Sequence, residues 1–148
     1  MAIPTDSYAC FYVLNFDCDH SEITQQLGFD PTEACNRQGT TGPEFVSTWR
    51  YIVRPIPSSE PHPNDLAGLL KTKPALPAEC VASLLTTLEM HSDAIMAVSN
   101  QYQAGIHCRG PFGIELSAEI LRRLSALAVP FDFACHCCFT DVDVGPVA

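Results

Sequence analysis

The most chemically distinctive stretch of this sequence is its last apolar segment, residues 131–139, which reads FDFACHCCF. It places three cysteines and one histidine in four consecutive positions, with phenylalanines on both sides. Side chains of these types could bind a metal ion, form a redox-active thiol pair, or line the buried face of a strand. Each of these interpretations makes a different demand on the surrounding sequence.

The redox and metal interpretations both need partners that the sequence supplies poorly. Cys135 and Cys138 have the Cys-x-x-Cys spacing, but a thioredoxin-type pair also needs a helix N-terminus to lower the thiol pKa. We expect no helix in the DVDVGPVA that follows. A structural zinc site needs four ligands, usually in two spaced pairs. The segment IHCRG adds one histidine nearby, so the metal alternative is a three-ligand set of His107, His136 and Cys138.

The strand interpretation needs no partner. Alternate side chains of a strand share a face, so Cys135 and Cys137 lie with the phenylalanines, whereas His136 and Cys138 lie opposite. Free cysteine is among the most buried residue types. We therefore predict a buried, thiol-rich strand with no metal and no cofactor, and we keep the three-ligand set as the competing hypothesis.

No other motif assembles an active site. The acidic run DCDHSE begins like a calcium loop, but Glu22 stands where that loop needs glycine, and Gly28 stands where it needs glutamate. The sequence contains neither Gly-x-Ser-x-Gly nor His-Glu-x-x-His. Its eight cysteines and five histidines allow many Cys-His pairs, which makes any single pair weak support for a nucleophile. We expect a non-catalytic domain, and the competing class is a small metal- or Cys/His-dependent enzyme.

Candidate binding residues fall in two segments. Large aromatic and basic residues alternate around TWRYIV, which makes Trp49, Arg50 and Arg54 candidates, although a strand with one core face and one solvated face would show the same pattern. Asp30 and Glu33 follow the first predicted helix in polar sequence. They represent the acidic first third of the chain, where residues 1–50 carry seven acids and two bases.

The charge and hydropathy of the chain limit its partners. The net charge is −9, from 17 acidic and 8 basic residues, so nucleic acid is a poor partner and a basic protein is a better one. No apolar run approaches the ~18 residues that span a membrane, and the first residues do not resemble a signal peptide. We therefore expect a cytoplasmic protein with reduced thiols, without a membrane or nucleic-acid partner and with no particular oligomeric state indicated.

The elements that position these residues follow from the hydrophobic pattern. Asp19 with Glu22 predicts a helix start and Gly28 its end, whereas 32–45 reads as loop. Helices are also predicted after Asn64, Pro77 and Ser117, the last of them burying Ile120, Leu121, Leu124 and Leu127. Strands are predicted at 8–16, 48–53, 94–102, 105–109 and from Pro130, with a hairpin around Gln103 and Ala104.

These elements predict a single α+β domain over residues 1–148. The order is β-α-β-α-β-β-α-β, with a mostly antiparallel or mixed five-stranded sheet and helices on one face. The last six elements match the order of ferredoxin-like folds. Six of the twelve prolines fall within 55–77, which predicts a long connection, and 1–7 and 140–148 read as loose tails.

Three segments together resemble a known family: SEITQQLGFDPTEA, TWRYIV and GIELSAEILRRLSALAVPFDF. Bacterial domain-of-unknown-function 4279 proteins similarly have a helix ending in Leu-Gly-x-x-Pro, a strand led by tryptophan, and a final Leu-Ser-x-Glu helix that runs into a strand. In this chain these motifs are structural, since Gly28 and Pro31 end a helix, Trp49 packs a sheet, and Ser117 with Glu119 starts a helix. The resemblance implies an α+β fold and a bacterial source, and it lends no catalytic residues.

The cysteine-rich last strand departs from that family's pattern, so it cannot be interpreted as a family signature. The combined expectation is a bacterial, cytoplasmic domain that works by binding another protein. Its most specific form is an inhibitor or immunity-type protein whose acidic face meets a basic toxin.

Overall fold

The computed structural model describes residues 7–36, 46–55, 76–110 and 113–134 of the 148-residue chain. In these ranges, four helices and one five-stranded sheet form an α+β domain, as predicted. The elements are β1 (Tyr8–Leu14), α1 (His20–Leu27), β2 (Glu33–Cys35), β3 (Thr48–Val53), α2 (Ala78–Met90), α3 (Ser92–Gln101), β4 (Gln103–Arg109), α4 (Ala118–Leu127) and β5 (Phe131–Ala134).

The sheet is mixed and is built around its first strand. The strand order is β2-β3-β1-β4-β5, so β1 is central and the two shortest strands form the edges. The pairs β2/β3, β3/β1 and β1/β4 are antiparallel, and β4/β5 is parallel. A parallel pair needs a crossover connection, and α4 lies in that connection between β4 and β5.

The described helices pack on one face of the sheet, which confirms the predicted layer arrangement. In β1, Ala9, Phe11 and Val13 point to this face and are fully buried in the core that the helices complete. Trp49 lies in the same core from β3. Because side chains alternate along a strand, the even-numbered residues of β1 point to the opposite face, which we call the open face.

The helix starts and stops that the sequence marks are correct. The Asp19 carboxylate accepts a hydrogen bond from the Ser21 backbone N–H at the start of α1, and Gly28 ends that helix with a left-handed φ of 85°. The Ser117 side chain accepts a hydrogen bond from the Ile120 N–H at the start of α4. Each bond satisfies one of the backbone donors that a helix N-terminus leaves unpaired.

The predicted strand at 94–102 is wrong, because this segment forms the helix α3, Ser92–Gln101. Ile95 and Val98 are buried three residues apart, which is helical spacing, while Met96 is 48% exposed. The predicted hairpin around Gln103 and Ala104 is therefore wrong as well. Without that strand, the ferredoxin-like order of the last six elements does not hold among the described residues.

The fifth strand of the sheet comes instead from the segment predicted as loop. Residues Glu33–Cys35 form β2, and Glu33 lies opposite Arg50 of β3. A three-residue polar edge strand has no hydrophobic alternation from which it could be recognised. Its stability comes from cross-strand pairing that only the folded chain reveals.

Two expectations of burial are also wrong. Leu121 is 41% exposed, because the buried stripe of α4 runs through Ile120, Leu124 and Leu127 and leaves Leu121 on its flank. Phe131 and Phe133 in β5 are 39% and 37% exposed, although a buried strand was expected there. They lie on an edge strand, where the sheet has a neighbour on one side only.

Some predictions fall outside the described residues. These are the helix after Asn64, almost all of the proline-rich connection and of both tails, and the cluster from Cys135 to Cys138. Within the described ranges, no helix is both long enough and apolar enough to cross a membrane.

Candidate functional site

The open face of the sheet carries a groove of about 410 Å³, within the roughly 300–1,000 Å³ typical of ligand sites. All five strands contribute to it, because alternate side chains of neighbouring strands align in rows across a sheet. The groove is lined by Tyr8, Cys10, Tyr12, Leu14, Glu33, Arg50, Ile52, Arg54, His107 and Asp132.

Arg50 and Glu33 form an ion pair at one side of the groove. They are cross-strand partners in β3 and β2, and Arg50 Nη1 lies 3.2 Å from Glu33 Oε1. Both side chains are about half exposed, at 44% and 55%, so solvent screening limits the pair to about 0.2–1 kcal/mol. The charge of Glu33 is therefore balanced locally and is less available to a basic partner than the sequence suggested.

Arg54 lies against an aromatic ring. Its guanidinium carbon is 5.7 Å from the centroid of the Tyr8 ring, a distance at which a cation is attracted to the ring face. The Tyr8 ring in turn packs against the His107 ring, with centroids 5.8 Å apart. None of the described carboxylates forms an ion pair with Arg54. Within the described part of the chain, the hydrogen-bond donors of this arginine are not engaged by a carboxylate.

His107 and Asp132 form the second charged pair of the groove. They are register partners in the parallel strands β4 and β5, and His107 Nδ1 donates to Asp132 Oδ1 at 2.5 Å. Cys10 of β1 is the cross-strand partner of His107 on its other side. A thiol, an imidazole and a carboxylate therefore follow one another across three strands, which is the order that cysteine-dependent hydrolases use.

The thiol of this row is not activated. Cys10 is only 3% exposed, and its burial raises the pKa to about 12 although the charges of Arg50 and Arg54 lower it; Glu33 and Asp132 act in the same direction as burial. No hydrogen bond joins Cys10 Sγ to His107 among the described contacts. A reactive cysteine needs a thiolate at neutral pH. Cys10 therefore serves as part of the groove floor.

Gly105 allows a tyrosine to lie across the neighbouring strand. A Cβ atom at Gly105 would lie 2.6 Å from the Tyr12 hydroxyl oxygen and 2.8 Å from Cζ, closer than atoms can approach. Burial, with smaller contributions from Asp132 and Cys10, raises the pKa of Tyr12. The phenol therefore stays protonated at neutral pH and can donate a hydrogen bond into the groove.

The structure brings together three of the five predicted binding residues. Arg50, Arg54 and Glu33 line the groove, whereas Asp30 is exposed after α1 and lies outside it. Trp49 is fully buried in the core, and its indole N–H donates to Thr24 Oγ1 at 3.0 Å. Its selection as a contact residue is therefore corrected, because a side chain with no exposed surface cannot touch a partner.

Of the alternative metal ligands, the structure describes His107 alone, and His136 and Cys138 lie outside the described residues. In the described part of the chain, no three His, Cys, Asp or Glu side chains are grouped to hold a metal ion. The described cysteines are all free thiols: Cys10, Cys18, Cys35, Cys80 and Cys108.

A smaller cavity of about 190 Å³ lies beside the start of α1, between Phe16 and Asn36. Two acidic residues line it, Asp17 and Asp19, and Asp19 already accepts hydrogen bonds from Ser21 and Asn36, which lower its pKa to about 2. That carboxylate caps the N-terminus of α1. The groove on the open face is therefore the stronger candidate site.

Sequence reasoning missed the aromatic and thiol residues of the groove. Tyr8, Cys10 and Tyr12 occupy alternate positions of the first strand, opposite the buried Phe11. The aromatic and β-branched residues of 8–16 predict a strand, but they do not show which of its faces carries a binding site. The alternation of residues with a polar atom against purely apolar ones was the available signal. No comparable signal paired Asp132 with His107, since they are 25 residues apart.

Comparison with known proteins adds a family but no activity. No curated protein and no solved structure matches the chain. One family profile matches residues 5–138, which is most of the chain and includes every described strand and helix. The chain belongs to the family described as domain of unknown function (DUF4279).

Proposed function

We propose that this chain is a non-catalytic binding domain whose groove on the open face receives a partner protein. The observation that carries this proposal is the composition of the groove. Charged, aromatic and apolar side chains from five strands converge there, and Cys10, its one thiol, is held protonated by burial. Convergent polar groups on an apolar floor are the usual composition of a binding site.

The rigidity of the groove also favours binding. Its side chains stand on paired strands, and two of its charged pairs, Arg50 with Glu33 and His107 with Asp132, hold their members in place. A surface organised before binding loses less conformational entropy when the partner arrives. This supports a role in recognition.

The proposed setting is the bacterial cytoplasm. The five cysteines that the structure describes are free thiols and support it, because thiols stay reduced in that compartment. Cys10 and Cys108 are buried, so their oxidation to disulfides would require the fold to open.

A basic partner at the acidic surface is the second candidate, in the form of an inhibitor or immunity-type protein against a basic toxin. It is supported by the net charge of −9 and by the exposed Asp30 at the end of α1. Asp19 adds a carboxylate that stays ionised, because the hydrogen bonds from Ser21 and Asn36 lower its pKa to about 2. The ion pair of Glu33 with Arg50 reduces the contribution of Glu33.

The two candidates can be separated with one partner and three variants. A partner recovered by affinity capture is purified, and its dissociation constant is measured by calorimetry against each variant. Ile52→Trp fills the middle of the groove, Met90→Trp adds the same bulk to a side chain that is 76% exposed on α2, and Asp30→Lys reverses a charge outside the groove. Melting curves establish that each variant is folded.

For binding in the groove, we expect Ile52→Trp to weaken the complex at least about tenfold, a change of ~1.4 kcal/mol, and the other two variants to leave it unchanged. Weakening by Asp30→Lys alone would instead support the basic partner at the acidic surface. If neither Ile52→Trp nor Asp30→Lys changes the dissociation constant, neither surface is the binding site.

A further inference from the structure

We propose that the groove binds an extended, acidic segment of the partner protein, with carboxylates held by Arg50 and Arg54 and an apolar side chain between them. This inference rests on the proposed function and deepens it, because it states the chemistry of the segment that the groove would recognise. It follows from the charge balance of the groove, the spacing of its arginines and the side chains that lie between them.

Among the described residues, basic side chains outnumber acidic ones on the open face, whereas the whole chain has a net charge of −9. Three of the basic residues that the structure describes lie on this face: Arg50 and Arg54 line the groove, and Arg109 pairs with Tyr8 across β1 and β4. The two carboxylates of the groove, Glu33 and Asp132, are already bonded to Arg50 and His107. Within the described ranges, the arginine donors of this face thus outnumber the carboxylate acceptors.

All three arginines of the open face have hydrogen-bond donors that the described contacts leave unused. Arg54 contacts the Tyr8 ring and pairs with none of the described carboxylates. The Nε of Arg109 is buried and has no hydrogen-bond partner. Arg50 gives Glu33 a single hydrogen bond, at 3.2 Å, although a guanidinium carries five N–H donors. A ligand carboxylate in the groove would satisfy donors of Arg50 and Arg54 that the described contacts leave unpaired.

The spacing of the arginines indicates an extended ligand. Arg50, Ile52 and Arg54 are alternate residues at and just beyond β3, so their side chains stand on one face at intervals of about 6–7 Å. An extended peptide has the same interval between alternate side chains. A segment with the pattern acid-x-apolar-x-acid therefore places a carboxylate at each arginine and an apolar side chain at Ile52.

The net charge of −9 does not prevent this binding. At physiological ionic strength the screening length is about 8 Å, so distant acids contribute little compared with arginines in contact with the ligand. The predicted preference for a basic partner rests on the acidic first third of the chain, which carries seven acids and two bases. The groove is a local exception to it.

Two synthetic heptapeptides of identical composition test the inference. The first, Thr-Glu-Thr-Val-Thr-Glu-Thr, has the required spacing, and the second, Thr-Val-Thr-Glu-Glu-Thr-Thr, brings the two acids together. Each carries a fluorescent label, and binding is followed by anisotropy at physiological salt. The proteins are the wild type, Arg54→Glu and Arg122→Glu, the last being a matched charge reversal on α4, where the Arg122 side chain bonds to the Ala118 carbonyl.

We expect the wild type to bind the spaced peptide at least about threefold more tightly than the clustered one. Arg54→Glu should weaken binding of the spaced peptide at least about tenfold, and Arg122→Glu should leave it unchanged. Equal affinity for both peptides, or binding that ignores Arg54→Glu, would overturn the inference. Complete displacement of the peptide by inorganic phosphate at constant ionic strength would also overturn it, since the site would then select a small anion.

The same variants distinguish this inference from the proposed function. If Ile52→Trp abolishes binding of the captured partner but Arg54→Glu does not, the groove is the binding surface and the inference of an acidic segment is wrong. If neither Ile52→Trp nor Arg54→Glu changes the affinity of the partner, the proposed function itself is wrong.

Discussion

Arg123 of α4 and Glu89 of α2 form a two-point ion pair that ties the two helices together. Arg123 Nε lies 2.9 Å from Glu89 Oε2, and Nη2 lies 2.7 Å from Oε1. The same Nη2 also donates to Thr86 Oγ1 at 3.3 Å. Paired N–H groups facing both oxygens of a carboxylate fix the relative orientation of the groups. The geometry thus sets how α4 lies against α2.

Glu89→Gln tests this ion pair through its pH dependence. The hydrogen bond from Arg123 lowers the pKa of Glu89 below its ordinary value of 4.5; burial opposes this shift, and the charge of Arg123 adds to it. The pair therefore stabilises the fold above that value, and its contribution is lost as the pH falls through the lower folded pKa. Because both groups are partly exposed, we expect Gln to cost about 0.5 kcal/mol at neutral pH.

The measurement is urea unfolding of both proteins between pH 7 and pH 3. The difference in the free energy of unfolding should shrink below the ordinary pKa. Glu115→Gln, at another exposed glutamate, is the control and should change little at any pH. A difference for Glu89→Gln that stays constant over the whole range would contradict the role of the carboxylate charge.

Trp49→Phe should destabilise the fold without affecting recognition. The substitution removes the hydrogen bond to Thr24 and leaves a void in a fully buried position, for an expected loss of about 2 kcal/mol in the free energy of unfolding. Circular dichroism follows the denaturation, since the substitution removes the one tryptophan available for fluorescence. If Trp49→Phe weakened partner binding without changing stability, Trp49 would be a contact residue after all.

The buried cysteines should resist alkylation. Burial raises the pKa of both Cys10 and Cys108 to about 12, so at pH 8 only roughly one thiol in ten thousand is a thiolate, the reactive form. Cys35 is exposed on β2. Peptide mapping after brief treatment with iodoacetamide should show Cys35 modified and the two buried thiols intact. Rapid modification of Cys10 in the folded protein would instead indicate that Cys10, His107 and Asp132 form a reactive site.

Gly105→Ala should disturb both the fold and the groove. The added Cβ would meet the Tyr12 ring, and it would also lie 3.0 Å from the Pro130 carbonyl oxygen, a backbone atom that cannot move aside easily. Overpacking of this kind costs about 1–3 kcal/mol. Combining it with Tyr12→Ala removes the side-chain clash and leaves the backbone contact, so part of the lost stability should return. If thermal melts show no recovery, the clash with Tyr12 is not the cause.

The sequence predicts best where a local pattern has a local cause. The start and end of α1 follow from Asp19 and Gly28 because capping depends only on neighbouring backbone groups. The buried stripe of α2 follows from helical spacing for the same reason: Val81, Leu84, Leu85 and Leu88 are all fully buried. In contrast, α3 was mistaken for a strand because its short apolar run fits either period, and only its packing beside α1 and β4 decides between them.

The candidate site was predicted only in part because it depends on strand order. Arg50 and Arg54 were recognised from their own segment, but the sequence does not specify that β1 lies between β3 and β4. That order brings Tyr8 and Cys10 beside the arginines on one side and His107 on the other. Contacts made by strand pairing depend on the whole sheet, and no single segment encodes them.

The alternation of side chains along the central strand, β1, limits which mutations this domain can accept during evolution. In β1, odd-numbered residues such as Phe11 belong to the core, and even-numbered residues such as Tyr12 belong to the groove. Substitutions at even positions can therefore alter ligand preference while the packing is preserved. Core packing and ligand preference thus depend on different residues of the same strand. A single-residue insertion or deletion in β1 would exchange the two sets at once. Diversification of this groove should proceed by substitution, with the length of β1 held constant.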